Sequence, residues 1–401
     1  MVAGLEKERG VVEGADRRAG PFRLWIAGGG TGGHVYPGLA VVQALEVVEG
    51  TEAALAGLDV VYVGGEGGVE SHLAERAGLR FVGIPAGGVH GLGFSQGLSN
   101  LIKLLGGWRR AYRLGRMERP HALFVTGGYA SVPVALAAWM LRVPILVYLP
   151  DIEPGLAVRV LARLASRVAV TLPDSRAFLP AHKVVVTGYP VRAEFRVYSD
   201  DRVAARVALG LPAEEETPVL LVFGGSRGAR SINRALVAGL ADVLALAEVI
   251  HVSGELDWPW VSAQRSALPV SLQARYHAFP YLHDEMGAAL AAADLVVCRA
   301  GASTLGELPF FGLPAVLVPY PHAWRYQRVN AEWLVERGAA VALEDAHLSD
   351  ALTGTVERLL RDRKGLREMS DRMRALARPD AAQRLAEELW QLMQGTRGGG
   401  T

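Results

Sequence analysis

Three glycine-rich stretches and a single histidine stand out as the residues of this 401-residue chain best suited to chemistry. The first stretch is Gly28-Gly29-Gly30-Thr31-Gly32-Gly33-His34, and Tyr36-Pro37-Gly38-Leu39-Ala40 follows it as the expected start of a helix. Glycines let backbone come close to a ligand, and a helix start offers free N–H groups to an anion. His34 would sit at the positive end of that helix, as a general base or, equally, as a cap or plain hydrogen-bond donor. The second stretch, Phe223-Gly224-Gly225-Ser226-Arg227-Gly228-Ala229-Arg230, repeats the design. Ser226 and the neighbouring N–H groups suit a diphosphate, and Arg227 and Arg230 would add charge. The third, Cys298-Arg299-Ala300-Gly301-Ala302-Ser303-Thr304-Leu305-Gly306-Glu307, puts Thr304 where strand passes into helix and Glu307 one turn on, placed to accept hydrogen bonds from ribose hydroxyls. Each feature has a plainer reading: a tight turn without ligand, or a solvated glutamate.

These residues need a scaffold that brings strand ends together. Apolar runs at Leu24 to Ala27, Val60 to Val63, Ala122 to Val125, Ile145 to Tyr148 and Val168 to Val170 alternate with helical patterns. The rhythm restarts at Val219 to Phe223 and continues through Glu248 to Val252, Leu295 to Cys298 and Ala315 to Val318. This is the βαβ pattern of buried parallel strands, given twice, so the expected fold is α/β with two Rossmann-like units and a ligand cleft between them. The proline- and charge-rich stretch from Tyr189 to about Glu216 is the expected joint. Residues 1–20 read as a disordered tail, Asp380 to Met393 as an amphipathic helix and Gly395 to Thr401 as a frayed end.

Composition excludes several classes. Forty-two Lys and Arg nearly cancel 41 Asp and Glu, so no global field draws in nucleic acid. The single cysteine, Cys298, makes neither an internal disulfide nor a cysteine-based zinc site. The most apolar window, Ser131 to Pro150, contains Pro133, Arg142, Pro144 and Pro150, which fits a buried helix followed by a buried strand better than a membrane span. A Walker A loop is ruled out because no Lys-Ser or Lys-Thr follows the glycines. An NAD-dependent oxidoreductase, the alternative from a different class, would bind its cofactor at the first glycine loop, but that turn lacks an acidic partner at the usual distance and gives His34 no task.

Taken together, Gly29 to Ala40, Thr126-Gly127-Gly128-Tyr129-Ala130-Ser131-Val132-Pro133, Gly188-Tyr189-Pro190-Val191-Arg192, Gly224 to Arg230 and Cys298 to Glu307 resemble, in order and spacing, the MurG family of glycosyltransferases, glycosyltransferase family 28. The likeness runs from Phe22 to about Arg378. It implies a GT-B fold of two facing Rossmann-like domains with an interdomain cleft. It also implies inverting transfer of GlcNAc from UDP-GlcNAc to the C4 hydroxyl of a polyprenyl-diphosphate-linked muramoyl sugar, lipid I, giving lipid II at the cytoplasmic face of the cell membrane. By that likeness His34 is the acceptor-side histidine, Thr31, Gly32 and Gly33 lie near the diphosphates, and Gly128 and Tyr129 belong to the acceptor side. Arg192 and Ser226 touch the nucleotide, Leu282 lies near the uracil, Thr304 near the phosphates, Glu307 on the ribose and Gln327 on the sugar. The implied division is residues 21–191 facing acceptor and membrane, 192–378 holding the UDP-sugar, 379–395 a closing helix and 396–401 a tail.

Two departures stand beside this likeness. Tyr326 occupies the place of the first of two family glutamines, and Tyr148-Leu149-Pro150-Asp151 the place of His-Glu-Gln-Asn, where Asp151 or Glu153 would supply the carboxylate in place of the lost glutamate. A related transferase with a diacylglycerol or another polyprenyl-linked acceptor remains an alternative, as does a UDP-sugar-binding protein without activity. No metal or cofactor is expected, since no Asp-x-Asp pair stands in the motifs. The basic, apolar stretch from Val89 to Arg119, with Leu92, Phe94, Leu98, Leu101, Ile102, Leu104, Leu105 and Trp108 ahead of Arg109, Arg110, Arg113, Arg116 and Arg119, suits docking on anionic lipid; packing on the core is the plainer reading.

Overall fold

The computed structural model describes residues 21–29, 32–47, 57–86, 94–213, 217–225, 228–322 and 325–398. The expected tail at 1–20, Thr31, Ser226, Arg227 and the last residues, 399–401, lie outside them. Two sheets organise the rest. The first holds β1 (Phe22–Gly28), β2 (Leu58–Gly65), β3 (Arg80–Ile84), β4 (Ala122–Gly127), β5 (Ile145–Leu149), β6 (Arg167–Val170) and β7 (Val184–Val186), in spatial order β3-β2-β1-β4-β5-β6-β7. The second holds β8 (Val219–Phe223), β9 (Glu248–Val252), β10 (Tyr276–Phe279), β11 (Leu295–Cys298), β12 (Ala315–Leu317) and β13 (Ala340–Ala342), in order β10-β9-β8-β11-β12-β13. Every strand pair is parallel, with Trp25 beside Val61 on one side and Leu123 on the other, and Val297 beside both Val222 and Val316.

Alternate residues on each strand serve opposite faces. On β1, Trp25 and Ala27 enter one apolar cluster with Val125 and Val147, while Leu24 and Ile26 enter another. On β8, Leu220 and Val222 pack with Ile232 and Val249, whereas Val219 and Leu221 join the same cluster as Leu24 and Ile26. Both faces of the central strands are therefore covered, which is why their sequences read as unbroken apolar runs. Each such side chain, fully buried, contributes roughly 1.5–3 kcal/mol. The shared cluster runs through both halves by way of Tyr189 and Val191, and through the last helix, Ala381–Gly398.

That last helix crosses back to the first sheet. Trp390 meets Phe22 edge to face at 4.6 Å, Arg167 pairs with Glu388 and Gln391, and Thr396 Oγ1 donates to His121 O at 2.9 Å. It continues five residues beyond the sequence expectation, through part of the stretch read as frayed, because this packing supports its last turns. Between β7 and β8 no strand intervenes among the described residues; a 3-10 turn, Ala193–Tyr198, and a short helix, Arg202–Ala208, capped by Asp201 through Ala204 N at 2.8 Å, fill the expected joint. The window Ser131 to Pro150 is a helix, Ser131–Met140, followed by β5, as expected, and no described helix is long and apolar enough to cross a membrane.

Candidate active site

In each sheet the strand order reverses once, between β1 and β4 and between β8 and β11. The loops leaving such neighbours diverge to opposite faces and open a crevice at the strands' carboxyl ends. All three glycine stretches lie there, the first after β1, the second after β8 and the third after β11. The loop carrying Gly128 and Tyr129 follows β4, whose Gly127 pairs with Gly28.

At the first switch point the helix Gly32–Val47 begins directly after the glycines, so Gly32 and Gly33 occupy its first turn and His34 its third position. His34 Nδ1 lies 3.0 Å from Gly29 O, which fixes the ring and turns its other edge toward β4. A Cβ added to Gly127, at φ +117°, would lie 3.1 Å from His34 Nε2, and one added to Gly128, at φ +84°, would lie 2.3 Å from Gly29 O. The two glycine loops are thus packed backbone to backbone, and only glycine fits either position. Tyr129 projects outward, 47% exposed. Asp151 follows β5 and is half-buried; burial raises its carboxyl pKa, opposed by a hydrogen bond from Asn330 and by the charge of His34.

The departure from the family pattern at 148–151 is mostly interior. Tyr148 is fully buried, its hydroxyl paired with Thr171 Oγ1 at 2.8 Å and with Gly188 O at 3.2 Å, and Leu149 and Pro150 are buried beside it. Of the four, Asp151 alone is half-buried rather than fully enclosed.

A second cluster gathers around Arg192. Its guanidinium stacks on Phe195 at 3.9 Å and on Tyr36 at 4.4 Å, the latter from the first glycine helix, so it spans the two halves. Its buried Nε has no hydrogen-bond partner among the described residues. Glu307 opens the helix Glu307–Phe311; burial raises its carboxyl pKa, while Arg192 and a hydrogen bond from Ser303 act against the rise. That helix ends at Gly312, whose φ of +61° is the left-handed cap that turns the chain into β12. Thr304 is buried, its hydroxyl donating to Gly301 O at 2.6 Å. Leu282 is also buried, between Tyr281 and His283 in the loop after β10. Tyr281 is held against Tyr36, and burial pushes its hydroxyl up to about 12. Gln327, half-buried, accepts a hydrogen bond from Tyr320 N at its side-chain oxygen, 2.9 Å away, leaving its amide N–H groups for other partners.

Tyr189 joins the two clusters. It is fully enclosed, packed on Gly306, and its hydroxyl pKa is raised by burial and by Glu307, Tyr148 and Asp151, against Arg192. Further links cross between halves: Asn330 to Asp151, Arg325 to Glu153 at 3.0 Å, Gln43 to Glu194 at 2.9 Å, and Arg76 to His283 at 3.0 Å. Sequence reasoning gave no specific role to Tyr36, Tyr189 or Asn330. The available signal was position: Asn330 lies one helical turn after Gln327 and shares its face. Arg230, expected to supply charge to the second glycine turn, instead pairs with Asp257 at 2.8 Å, and Asp257 with Asn233 at 2.9 Å, so its guanidinium braces the turn from behind.

Two parallel sheets whose functional loops collect at their switch points, joined across a cleft, make this a GT-B fold of the nucleotide-sugar-using class. Residues 24–170 match the Glycosyltransferase family 28 N-terminal domain and residues 219–385 the Glycosyltransferase family 28 C-terminal domain. The chain belongs to glycosyltransferase family 28. It is 46% identical, over 91% of its length and 94% of the relative's, to the UDP-N-acetylglucosamine--N-acetylmuramyl-(pentapeptide) pyrophosphoryl-undecaprenol N-acetylglucosamine transferase of Roseiflexus sp. strain RS-1. It is 38% identical to the protein of the same name from Desulforudis audaxviator, over 94% of this chain and all of that one. Among solved structures it resembles Acinetobacter baumannii MurG, with a TM-score of 0.71 and 27% identity over 92% of this chain and all of that one.

Proposed function

We propose that this protein transfers GlcNAc from UDP-GlcNAc to the C4 hydroxyl of the muramoyl sugar of a pentapeptide-bearing, undecaprenyl-diphosphate-linked acceptor, with inversion at the anomeric carbon. The observation that carries this is the meeting of the His34–Asp151 pair with the Arg192–Glu307 cluster around Tyr189, one group from each sheet's switch point. The named relatives act on these substrates, which supports the same assignment here.

In this reading the acceptor hydroxyl attacks C1 as the bond from C1 to the diphosphate oxygen breaks, and UDP leaves with the electron pair. The hydroxyl proton passes to His34 or Asp151. His34 is oriented by Gly29 O, and Asp151, with its raised pKa, is the more basic for being buried. Charge growing on the diphosphate meets the N–H groups at the second glycine turn and the start of the helix Arg230–Ala238. Gly32, Gly33 and Thr304 line the diphosphate path, and Arg192, stacked between Phe195 and Tyr36, supplies positive charge beside the nucleotide. Glu307 takes the ribose, Leu282 packs on the uracil, and Gln327 offers its amide N–H groups to the N-acetyl sugar. Gly128 and Tyr129 form the acceptor wall. Residues 21–191 hold acceptor and membrane, and 192–378 hold the donor, with the last helix tying the second half to the first.

The helix Phe94–Glu118 is the membrane-facing element in this reading. Ile102 and Leu105 are more than half exposed, and Arg109, Arg113 and Arg116 are exposed without a carboxylate partner among the described residues. One experiment tests the whole: incubation with a panel of radiolabelled UDP-sugars and polyprenyl-linked acceptors in vesicles, with and without anionic lipid, followed by sedimentation. Label from UDP-GlcNAc alone entering the muramoyl acceptor, with the protein pelleting on anionic vesicles, is expected. Label entering a diacylglycerol acceptor, or no transfer at all, would overturn the acceptor assignment or the reaction.

A further inference from the structure

Asn330 is fully buried in the helix Tyr326–Glu336 of the second half, yet its amide serves the first. Its Nδ2 donates to Asp151 Oδ1 at 2.8 Å and to Ala300 O at 3.2 Å, and its Oδ1 accepts from Ile152 N at 3.4 Å. Two acceptors on one end and one donor on the other leave the amide a single consistent orientation. The loop it grips is also held by the first turn of the same helix: Arg325 pairs with Glu153, and Tyr326 OH lies against Gly155. Gln327, assigned above to the donor sugar, sits on that turn too.

The geometry points to Asn330 as a positioning residue that reaches across the cleft from the donor half and sets the orientation of the Asp151 carboxylate beside His34. This rests on the reading of His34 and Asp151 as the transfer site. It makes the helix carrying Gln327 a direct link between donor seating and the readiness of the acceptor-side carboxylate. Apart from Asn330, the titratable groups around Asp151 are His34 from the first glycine helix, Tyr148 from its own strand, Tyr189 from the segment after β7, and Tyr326 from Asn330's own helix, with Glu153 and Arg159 close to Tyr326. Hydrogen bonding to the charged form favours it, so removing the amide donor raises the carboxyl pKa and moves the loss of its basic form to higher pH.

The test is the pH dependence of kcat at saturating donor, with UDP affinity measured alongside, for wild type, Asn330→Ala, Asn330→Asp and Asp151→Asn. A hydrogen bond to a charged group is worth enough that the acid limb should move up by about one pH unit in Asn330→Ala. It should move further in the isosteric Asn330→Asp, which sets carboxyl against carboxyl and keeps an acceptor for Ile152 N. UDP affinity should stay within about two-fold, and Asp151→Asn should erase the limb; a mere structural role would lower stability and leave the limb in place. An unmoved limb in both Asn330 variants, or UDP affinity falling in step with kcat, would overturn the inference. Should wild type transfer nothing, the functional reading fails by itself. The Asp151 carboxyl carbon, followed by NMR in labelled protein, then decides the link by whether its titration midpoint rises in Asn330→Asp or stays.

Discussion

The two glycine turns look alike in sequence and are built differently. In the first half, Gly29 has no room for a Cβ because Glu70 fills the space, and Gly128 has none because Gly29's own backbone does. In the second half, Gly224 and Gly228 are likewise pressed on Ala229 and Ser253, but Gly225, at φ +84°, and Gly301 have nothing among the described residues within 4 Å of where a Cβ would stand. The first turn is closed by protein and presents a side chain, His34. The second, among its described residues, leaves space at Gly225 and presents backbone. A shared motif therefore serves two tasks: rigid placement of a reactive ring, and room for a ligand against N–H groups.

The largest test of that contrast is His34→Ala. If the first turn exists to hold a reactive group, turnover should fall by about 10²–10⁴-fold while UDP affinity stays nearly intact. Steady-state rates and calorimetric titration with UDP would show it, and unchanged turnover would remove His34 from the mechanism.

A matched pair comes next. Gly128→Ala collides with Gly29 O and strains a left-handed position, so it should lower stability by about 3 kcal/mol. Gly225→Ala meets only the backbone strain, about 1 kcal/mol, but should weaken UDP binding by about ten-fold through lost space. Thermal unfolding with UDP titration separates the two, and equal effects of both substitutions on UDP would erase the contrast.

The last test concerns the interior behind the second turn. His251 is fully buried, with Nδ1 2.6 Å from Tyr276 OH and Nε2 2.9 Å from Asn233 Oδ1, and burial lowers its pKa to about 3. A base held neutral in the fold but free to take a proton when unfolded contributes stability that is full above its ordinary value of 6.5 and is lost progressively as pH falls toward about 3. By pH 5 the loss should be about 2 kcal/mol. A plot of melting temperature against pH should therefore be steeper between 6.5 and 5 for wild type than for His251→Phe, and parallel plots would sink the argument.

The comparison also shows where the strand pattern was legible. Each strand flanked on both sides, β1, β2, β4, β5 and β6 in one sheet and β8, β9, β11 and β12 in the other, was readable as an apolar run. The four edge strands, β3, β7, β10 and β13, were not. Each is short and has at most one buried residue, as in Arg80–Ile84, where Ile84 alone is enclosed. Periodicity reports two-sided burial, and an edge strand lacks it.

By itself the sequence determined the fold class, the two glycine turns, His34, and the order in which the loops leave their strands, because apolar runs and glycine positions are local consequences of burial and backbone shape. Tertiary structure alone decided which loops would meet. Tyr189 lies between Asp151 and Glu307, Tyr36 lies under Arg192, and Asn330 grips a carboxylate 179 positions away, although no spacing along the chain announces any of these pairs. Such contacts depend on the reversal of strand order and on how one half rests against the other, and both are properties of packing at long range.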